Sequence, residues 1–369
     1  MFINSFIFHT IMATQPIEKL IDYSSIEFAK FDKIEINGKK SGSFLIGNIG
    51  EGDKKRSYVF KKRRIDGEQE DCESAAHNPE YRALQALGNI LPLNNANSSV
   101  DHYRDIIVGY DVVKLSQMVE GRRVNGEYLI LEPIKGGKPI DQAHTTIAEK
   151  IVDFFLIAKA LQYMHRYNWI HLDANPKNMI TSYNTTKLID FESANDIAVA
   201  EKSDVLWTTI DYFAPEGLLL HQVGKFTDIY SLGASIVDTL TESERIIDEK
   251  GLIQETSSKL HLPRTKTKKE RLNKIYGQFV EGRVALNSFG VLDPTDVVSM
   301  PCGGLSHEIS CGRLSPAVAF KKLVMSMLER MHENRPTMDD IVKVYEGIVN
   351  SDRGLVDILM RKTSPCRVH

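Results

Sequence analysis

The chain has 369 residues, 42% hydrophobic content and a formal net charge of −3, which gives no reason to expect nucleic acid or an anionic membrane as the main partner. Since one domain takes about 100–200 residues, this length predicts one large two-lobed unit or two domains. Four cysteines are too few for a disulfide scaffold in a chain this long, which favours a reducing compartment.

Residues 1–27 are expected to form an N-terminal extension. The apolar stretch 1–12 contains no Lys or Arg, whereas a secretory signal needs a basic start. A membrane span needs about 20 apolar residues, and no stretch of the chain reaches that length. The sequence therefore predicts neither a signal peptide nor a transmembrane segment.

Three short β-prone runs follow, at residues 31–36, 44–49 and 57–60, with glycines between them. Apolar alternation at period two between glycine turns predicts an antiparallel meander. In the third run, strand alternation places Val59 and Lys61 on one face. Residues 79–87 then predict an amphipathic helix that carries Glu80 in its early part, and residues 147–167 predict a second helix.

The most informative stretch comes directly after this second helix. Asp173, Asn178 and Asp190 stand at offsets of 0, 5 and 17 residues. At this spacing one carboxylate can orient a hydroxyl nucleophile while two side chains hold magnesium on a nucleotide. A lone Asp or Asn in a loop is usually a turn former, but three at this spacing favour a catalytic constellation.

This stretch resembles the catalytic loop and metal-binding motif of the protein kinases. Small-molecule kinases of the aminoglycoside and choline type share both motifs, so later residues have to discriminate. Ala214-Pro215-Glu216 resembles the end of an activation segment, Asp228 the start of the buried helix that follows, and Arg335 the partner of Glu216. Small-molecule kinases lack all three.

The resemblance covers roughly residues 28–350 and implies an α+β, two-lobed protein kinase fold. The N-lobe, 28–134, is expected to hold a small antiparallel sheet and one main helix. The C-lobe, 135–351, is expected to be larger and mainly helical, with a divergent or enlarged segment at about 241–315. Residues 352–369 form a tail that the kinase core does not account for.

The resemblance further implies that ATP binds between the lobes. Lys61 is expected to contact the α- and β-phosphates, and Glu80 to form an ion pair that directs it. The remaining residues expected at the nucleotide are Gly38 and Gly42 of a phosphate-covering loop, Val59 over the adenine, Leu131 as gatekeeper, and Glu132 and Ile134 of the hinge.

For the chemistry, the resemblance assigns Asp173 as the base or hydroxyl-orienting group, and Asn178 and Asp190 as ligands of Mg²⁺, with Mn²⁺ as the alternative. Thr209 stands where Ser/Thr kinases carry a threonine that bonds the catalytic aspartate. The expected activity is therefore transfer of the ATP γ-phosphate to Ser or Thr of a protein substrate.

Three residues depart from the family's pattern. Leu172 replaces an arginine that commonly meets an activation-loop phosphate, so activity is predicted not to depend on phosphorylation of that loop. Asn175 replaces a lysine near the γ-phosphate, which removes a charge that stabilises the transition state. Glu192 replaces a glycine and its backbone freedom. These losses keep open a pseudokinase that binds nucleotide or a partner, and a small-molecule or lipid kinase.

Other expectations concern partners and location. The basic run 264–271 could contact an acidic partner, although a solvated helix face is the preferred interpretation. Cys302, His307 and Cys311 offer three ligands where a structural zinc site needs four. The expected location is cytoplasmic, or the host cytoplasm if the protein is a secreted bacterial or viral effector.

Overall fold

The computed structural model describes residues 27–36, 39–49, 56–62, 78–91, 103–119, 122–202, 208–243, 302–329 and 331–364. The basic run 264–271 and most of the predicted segment 241–315 lie outside these residues. So do Gly38 and the predicted N-terminal extension, apart from the last residue of the latter.

Five antiparallel strands form the sheet of the N-lobe, in the spatial order β1-β2-β3-β5-β4. In the central strand β3, Tyr58 and Phe60 are buried on one face, while Val59 and Lys61 lie on the other. The predicted antiparallel meander is therefore confirmed. The strands are β1 (Glu27–Ile36), β2 (Lys39–Ile49), β3 (Arg56–Lys62), β4 (Gly109–Val119) and β5 (Arg122–Leu131).

Helix α1 (Pro79–Ala86) lies between β3 and β4 in the chain. Asn78 caps its start, because the Asn78 side chain accepts a hydrogen bond from the backbone N–H of Tyr81. Pro79 occupies the first turn, where its missing N–H costs no intrahelical bond. The cap fixes where the helix begins and thereby places Glu80 in the first turn.

The C-lobe is mainly helical, and short strands surround the catalytic loop. Thr146 and Glu149 form a capping box that starts α2, which is buried over most of its length. The helices are α2 (Ile147–Arg166), α3 (Ile197–Ala200), α4 (Pro215–Leu220), α5 (Lys225–Ser243), α6 (Cys302–Ser310), α7 (Pro316–Met327), α8 (Met338–Asn350) and α9 (Arg353–Thr363). The strands are β6 (Lys138–Pro139), β7 (Trp169–Ile170), β8 (Met179–Thr181), β9 (Thr186–Leu188) and β10 (Asn195–Asp196).

One hydrophobic core runs from α1 of the N-lobe through α2 to α8. Tyr345 of α8 is fully buried, and its ring lies 5.7 Å from that of Phe155 and 5.9 Å from that of Phe320. Aromatic side chains bury large apolar areas, so this cluster holds α2, α7 and α8 together. The predicted α+β, two-lobed fold is confirmed.

The first part of the predicted tail packs onto the lobe. Lys362 of α9 is buried, and its Nζ lies 2.8 Å from Asp153 Oδ1 on α2 and 2.9 Å from Thr181 Oγ1. Arg361 pairs with Glu149 at 2.7 Å. Two basic residues of one turn thus fix α9 against α2.

Within the described residues, no helix is both long enough and apolar enough to cross a membrane.

Candidate active site

Lys61 lies at the centre of the cleft between the lobes. Its Nζ lies 2.6 Å from Oε2 of Glu80, its predicted partner, and 2.6 Å from Oδ1 of Asp190, which was predicted as a magnesium ligand. Burial alone would lower the pKa of Lys61, but the surrounding carboxylates outweigh it and raise that pKa above its ordinary value. Lys61 therefore stays protonated.

Glu80 connects α1 to the metal-binding motif as well as to Lys61. Its Oε1 accepts a hydrogen bond from the backbone N–H of Phe191 at 3.2 Å, while its Oε2 contacts the lysine. Burial raises the pKa of the Glu80 carboxyl, although the neighbouring ammonium opposes this. Each oxygen has a partner, so α1 is held in a position that directs Lys61 into the cleft.

Asp173 lies in the loop between β7 and β8, and both of its carboxylate oxygens are occupied. Oδ1 accepts from the backbone N–H of Thr209 at 2.7 Å, and Oδ2 accepts from Asn178 Nδ2 at 2.9 Å. Burial raises the pKa of Asp173, and the bonds from Thr209 oppose that shift. The orientation of the carboxylate is therefore fixed by two separate chain segments.

Asp228, at the start of α5, fixes the backbone of this catalytic loop. Its carboxylate is fully buried and accepts from the N–H of His171 at 2.8 Å and from that of Leu172 at 2.9 Å, with His165 Nε2 at 3.0 Å. The sequence indicated only that Asp228 begins a buried helix. Buried polar groups are usually paired, so a carboxylate in an apolar helix could have indicated that Asp228 accepts hydrogen bonds from nearby groups.

Asn175 is nearly fully buried and bonds within the loop. Its Nδ2 donates to the Asp173 carbonyl at 3.2 Å and to Thr209 Oγ1 at 3.1 Å, and its Oδ1 accepts from the N–H of Lys177. Its amide thus connects the catalytic loop to the activation segment. The structure brings Asp173, Asn175 and Thr209 together, and their catalytic roles stay predictions.

Leu172 is buried in a small apolar cluster apart from the main core. Its neighbours there include Ile170, Phe213 and Val223, and its backbone adopts φ of +63°. A left-handed conformation is costly for a leucine, so the packing has to compensate for it. The position usually given to arginine is therefore an apolar contact with the end of the activation segment.

Arg335 and Glu216 form the buried ion pair that the sequence motifs indicated. Arg335 donates from two nitrogens to the two carboxylate oxygens, with the Nη2–Oε2 pair at 2.9 Å, and a third bond runs from its Nε to the Glu329 carbonyl. Bidentate pairs of this kind fix geometry as well as adding energy. The start of α4 is thereby tied to the segment before α8.

The predicted hinge follows β5. Leu131 is buried and pairs with Val59 across β3 and β5, so the two predicted adenine contacts are adjacent. The Glu132 carboxylate accepts from Lys187 Nζ at 2.6 Å, and Ile134 packs against the main core. The side chain of Glu132 thus anchors the hinge to β9. The backbone N–H of Glu132 donates to the Val108 carbonyl, and the Ile134 carbonyl accepts from the N–H of Gly137, both at 2.9 Å. The contact of these two backbones with adenine stays a prediction.

Gly42 lies within β2, which begins at Lys39, where Lys39 pairs with Ile36 of β1. The predicted phosphate-covering loop at residues 38–44 is therefore mostly strand. Of the three residues that fell short of a zinc site in the sequence, His307 and Cys311 lie one turn apart at the end of α6, with Cys311 Sγ 3.6 Å from His307 Nε2. Among the side chains that the structure describes, no third potential zinc ligand lies close to His307 and Cys311.

Among the described residues, the acidic side chains whose oxygens converge are Glu80, Asp190 and Glu192, within 4.8 Å of one another. Glu192 Oε1 lies 3.2 Å from Lys61 Nζ. The sequence identified Glu192 as a departure from the family, but not as a partner of Lys61. That contact depends on how two distant segments pack.

An antiparallel sheet over a helical lobe, with Lys61, Glu80, Asp173 and Asp190 between them, defines the fold class of the kinases. A family model described as protein kinase domain matches residues 102–345, which is more than half of the chain. The chain belongs to the protein kinase family.

Curated relatives agree with this assignment at modest identity. The chain is 38% identical over 88 residues to Mitosis inhibitor protein kinase mik1 of Schizosaccharomyces pombe, covering 24% of this chain and 15% of that protein. It is 27% identical over 197 residues to a probable receptor-like protein kinase of Arabidopsis thaliana, covering 51% and 42%. It is 32% identical over 120 residues to Serine/threonine-protein kinase ULK3 of Homo sapiens, and the match covers 31% of this chain and 25% of that protein. The chain thus spans less than half the length of each.

Proposed function

We propose that the protein is an ATP- and magnesium-dependent kinase that phosphorylates Ser or Thr of protein substrates. The observation that carries this proposal is the fixed carboxylate of Asp173, which is bonded by Thr209 and Asn178. A carboxylate held in this way can orient an incoming hydroxyl and accept its proton. A pure scaffold has no chemical need for such a group.

Lys61 supplies the positive charge for the nucleotide. The Glu80 carboxylate holds its ammonium in the cleft at 2.6 Å, so the charge is positioned before the phosphates arrive. Preorganised charges of this kind stabilise a transition state without reorganising during the reaction. Val59 and Leu131, adjacent across two strands, would cover the adenine.

Asn178 and Asp190 would hold the divalent cation. Asn178 Nδ2 donates to both the carbonyl and the carboxylate of Asp173, which leaves its amide oxygen on the opposite side. Amide and carboxylate oxygens are hard ligands that suit Mg²⁺ or Mn²⁺, so the donor set fits the cation. When bound, the cation would neutralise charge on the transferred phosphoryl group.

Thr209 supports the preference for Ser and Thr. Its backbone N–H donates to Asp173, and its hydroxyl accepts from Asn175, so Thr209 lies beside the carboxylate that would orient the substrate hydroxyl. This position resembles that of the threonine found in Ser/Thr kinases. The acidic partner of residues 264–271 and a cytoplasmic or host-cytoplasmic location remain further predictions.

The test is incubation of the full-length protein with labelled ATP, Mg²⁺ and generic protein substrates. The wild type should label protein, and phosphoamino-acid analysis should find phosphoserine or phosphothreonine. Asp173→Asn, which keeps the size of the side chain, should lower the rate by at least about 10²-fold, since a positioned base contributes about 10²–10⁴-fold. Equal labelling by both proteins would contradict the role of Asp173.

The second candidate is a pseudokinase that binds nucleotide and catalyses little. The contact between Glu192 and Lys61 favours it, because a third carboxylate competes with the phosphates for the ammonium. Silence of both wild type and Asp173→Asn, together with a thermal shift caused by nucleotide, would select this function. ATP turnover that persists with metabolites and never labels protein would instead indicate a small-molecule or lipid kinase.

A further inference from the structure

Glu192 adds a negative charge where the protein kinases usually carry glycine. Its Oε1 lies 3.2 Å from Lys61 Nζ, and the oxygens of Glu80, Asp190 and Glu192 lie within 4.8 Å of one another. Three carboxylates therefore converge on one ammonium. The side chain of Glu192 is partly exposed, so it also faces the cleft into which a nucleotide would enter.

The charges of this cluster affect how strongly the cleft would bind phosphates and cations. Among the contacts that the structure describes, three carboxylates share the ammonium of Lys61, and like charges this close disfavour one another. Phosphates that enter without a cation would have to displace the Glu192 carboxylate from Lys61, and that carboxylate would repel them. Phosphates that enter with a divalent cation bring the charge that compensates both Asp190 and Glu192.

We propose that Glu192 is a positioning residue that makes nucleotide binding depend on a divalent cation. In the cation-free cleft, Glu192 holds Lys61 and repels phosphates; in the loaded cleft, its charge is compensated and Lys61 can pair with the phosphates. This inference rests on the proposed function, since it requires that the cleft takes a nucleotide.

The experiment is calorimetric titration of the full-length protein with ADP, once in excess Mg²⁺ and once in excess EDTA. The measured quantity is the ratio of the Kd without metal to the Kd with metal. Glu192→Gln keeps the size of the side chain and removes its charge. Without metal, this variant should bind ADP about tenfold more tightly than the wild type, as expected for loss of one like charge at contact distance.

With Mg²⁺ the two proteins should bind ADP with similar affinity, so the ratio falls in the variant. Glu192→Gly, which restores the usual residue, should lower the ratio in the same way and covers the case in which the glutamine variant does not fold. Glu201→Gln, a matched change of an exposed residue at the end of α3, should leave the ratio unchanged.

An unchanged ratio in both Glu192 variants, with ADP binding intact, overturns the role of Glu192 and leaves the proposed function standing. Absence of ADP binding by the wild type under both conditions overturns the proposed function and this inference with it. Equal tightening with and without metal also overturns the inference, because Glu192 would then weaken binding without discriminating.

Discussion

At the scale of single residues, Leu172 leads us to predict that activity does not depend on phosphorylation of the activation loop. An arginine at this position would offer a partner to a phosphate, whereas Leu172 packs with Ile170, Phe213 and Val223. Thr208 Oγ1 donates to the Leu172 carbonyl at 2.7 Å, which adds a polar tie to the same segment. Leu172 therefore contacts the described part of the activation segment through an apolar cluster and one hydrogen bond.

Phosphatase treatment tests this directly. The treated protein should retain the activity of the untreated protein, because no described contact of Leu172 requires a phosphate. Labelling of a generic substrate by both preparations, with removal of phosphate verified by mass spectrometry, provides the comparison. Complete loss of activity after treatment would show that the apolar cluster is not sufficient.

Substitution at Leu172 tests the same cluster through stability. Leu172→Arg would place an unpaired guanidinium among buried apolar side chains and should cost about 3–5 kcal/mol of unfolding free energy. Leu172→Met keeps the volume and should cost less than about 1.5 kcal/mol. Urea unfolding of both variants makes the comparison. Equal stability of the two would mean that the site opens to solvent when it is charged.

The sequence predicted much of the site because catalytic motifs are local. Asp173 and Asn178 are five residues apart, and their side chains do meet. The contact of Glu192 with Lys61 and that of Asn175 with Thr209 could not be predicted in the same way. Lys61 and Asp190 are separated by 129 residues, so contacts around them depend on how the lobes pack.

At the scale of elements, α9 is the part of the chain that sequence reasoning explained least. Lysine is rarely buried unless it is paired, so Lys362 offered no sign that it enters the core. Its partner Asp153 is fully buried and also accepts from Thr186 Oγ1 at 2.5 Å and Thr181 Oγ1 at 3.0 Å. Without the lysine, α2 would carry an uncompensated buried carboxylate.

Lys362→Met should therefore destabilise the protein by about 3–5 kcal/mol at pH 7. Burial raises the pKa of Asp153, and the Lys362 ammonium opposes that shift, so the variant should raise this pKa further. The folded state then binds a proton more readily than the unfolded state, and its stability falls as pH rises through the folded pKa. The loss should accordingly be smaller at pH 5 than at pH 7.

Urea unfolding at the two pH values measures this effect. Arg353→Met, at the exposed start of the same helix, is the matched control and should change the unfolding free energy by no more than about 0.5 kcal/mol. A loss for Lys362→Met that is equal at both pH values would mean that Asp153 remains ionised when its partner is removed.

At the scale of the whole molecule, the two lobes are joined on the hinge side by several separate contacts. The backbone N–H of Ile107 donates to the Leu188 carbonyl, and that of Leu188 to the Asp105 carbonyl. Arg104 donates from Nη1 to the Thr363 carbonyl, so the end of α9 also reaches this region. These bonds tie the segment before β4 to β9 and to the end of α9.

Lys187 is the side chain that anchors the hinge itself. From β9 of the C-lobe it reaches Glu132 Oε1 at 2.6 Å and the Ile106 carbonyl at 3.3 Å, while the N–H of Val108 donates to the same carboxylate oxygen at 2.7 Å. Without the ammonium, the Glu132 carboxylate would keep its hydrogen bond from Val108 of the N-lobe and lose the one from Lys187 of the C-lobe. The hinge would then lose its side-chain tie to the C-lobe.

Lys187→Met should therefore increase hydrogen exchange in peptides that cover residues 104–112 and 128–135, while peptides of α8 keep the exchange rate of the wild type. The reason is that local opening follows the loss of nearby contacts and spares regions whose packing is intact. Lys138→Met, at an exposed position beyond the hinge, controls for removal of a positive charge. Faster exchange across the whole chain would instead show that Lys187 supports global stability, and unchanged exchange would show that the backbone bonds alone hold the lobes together.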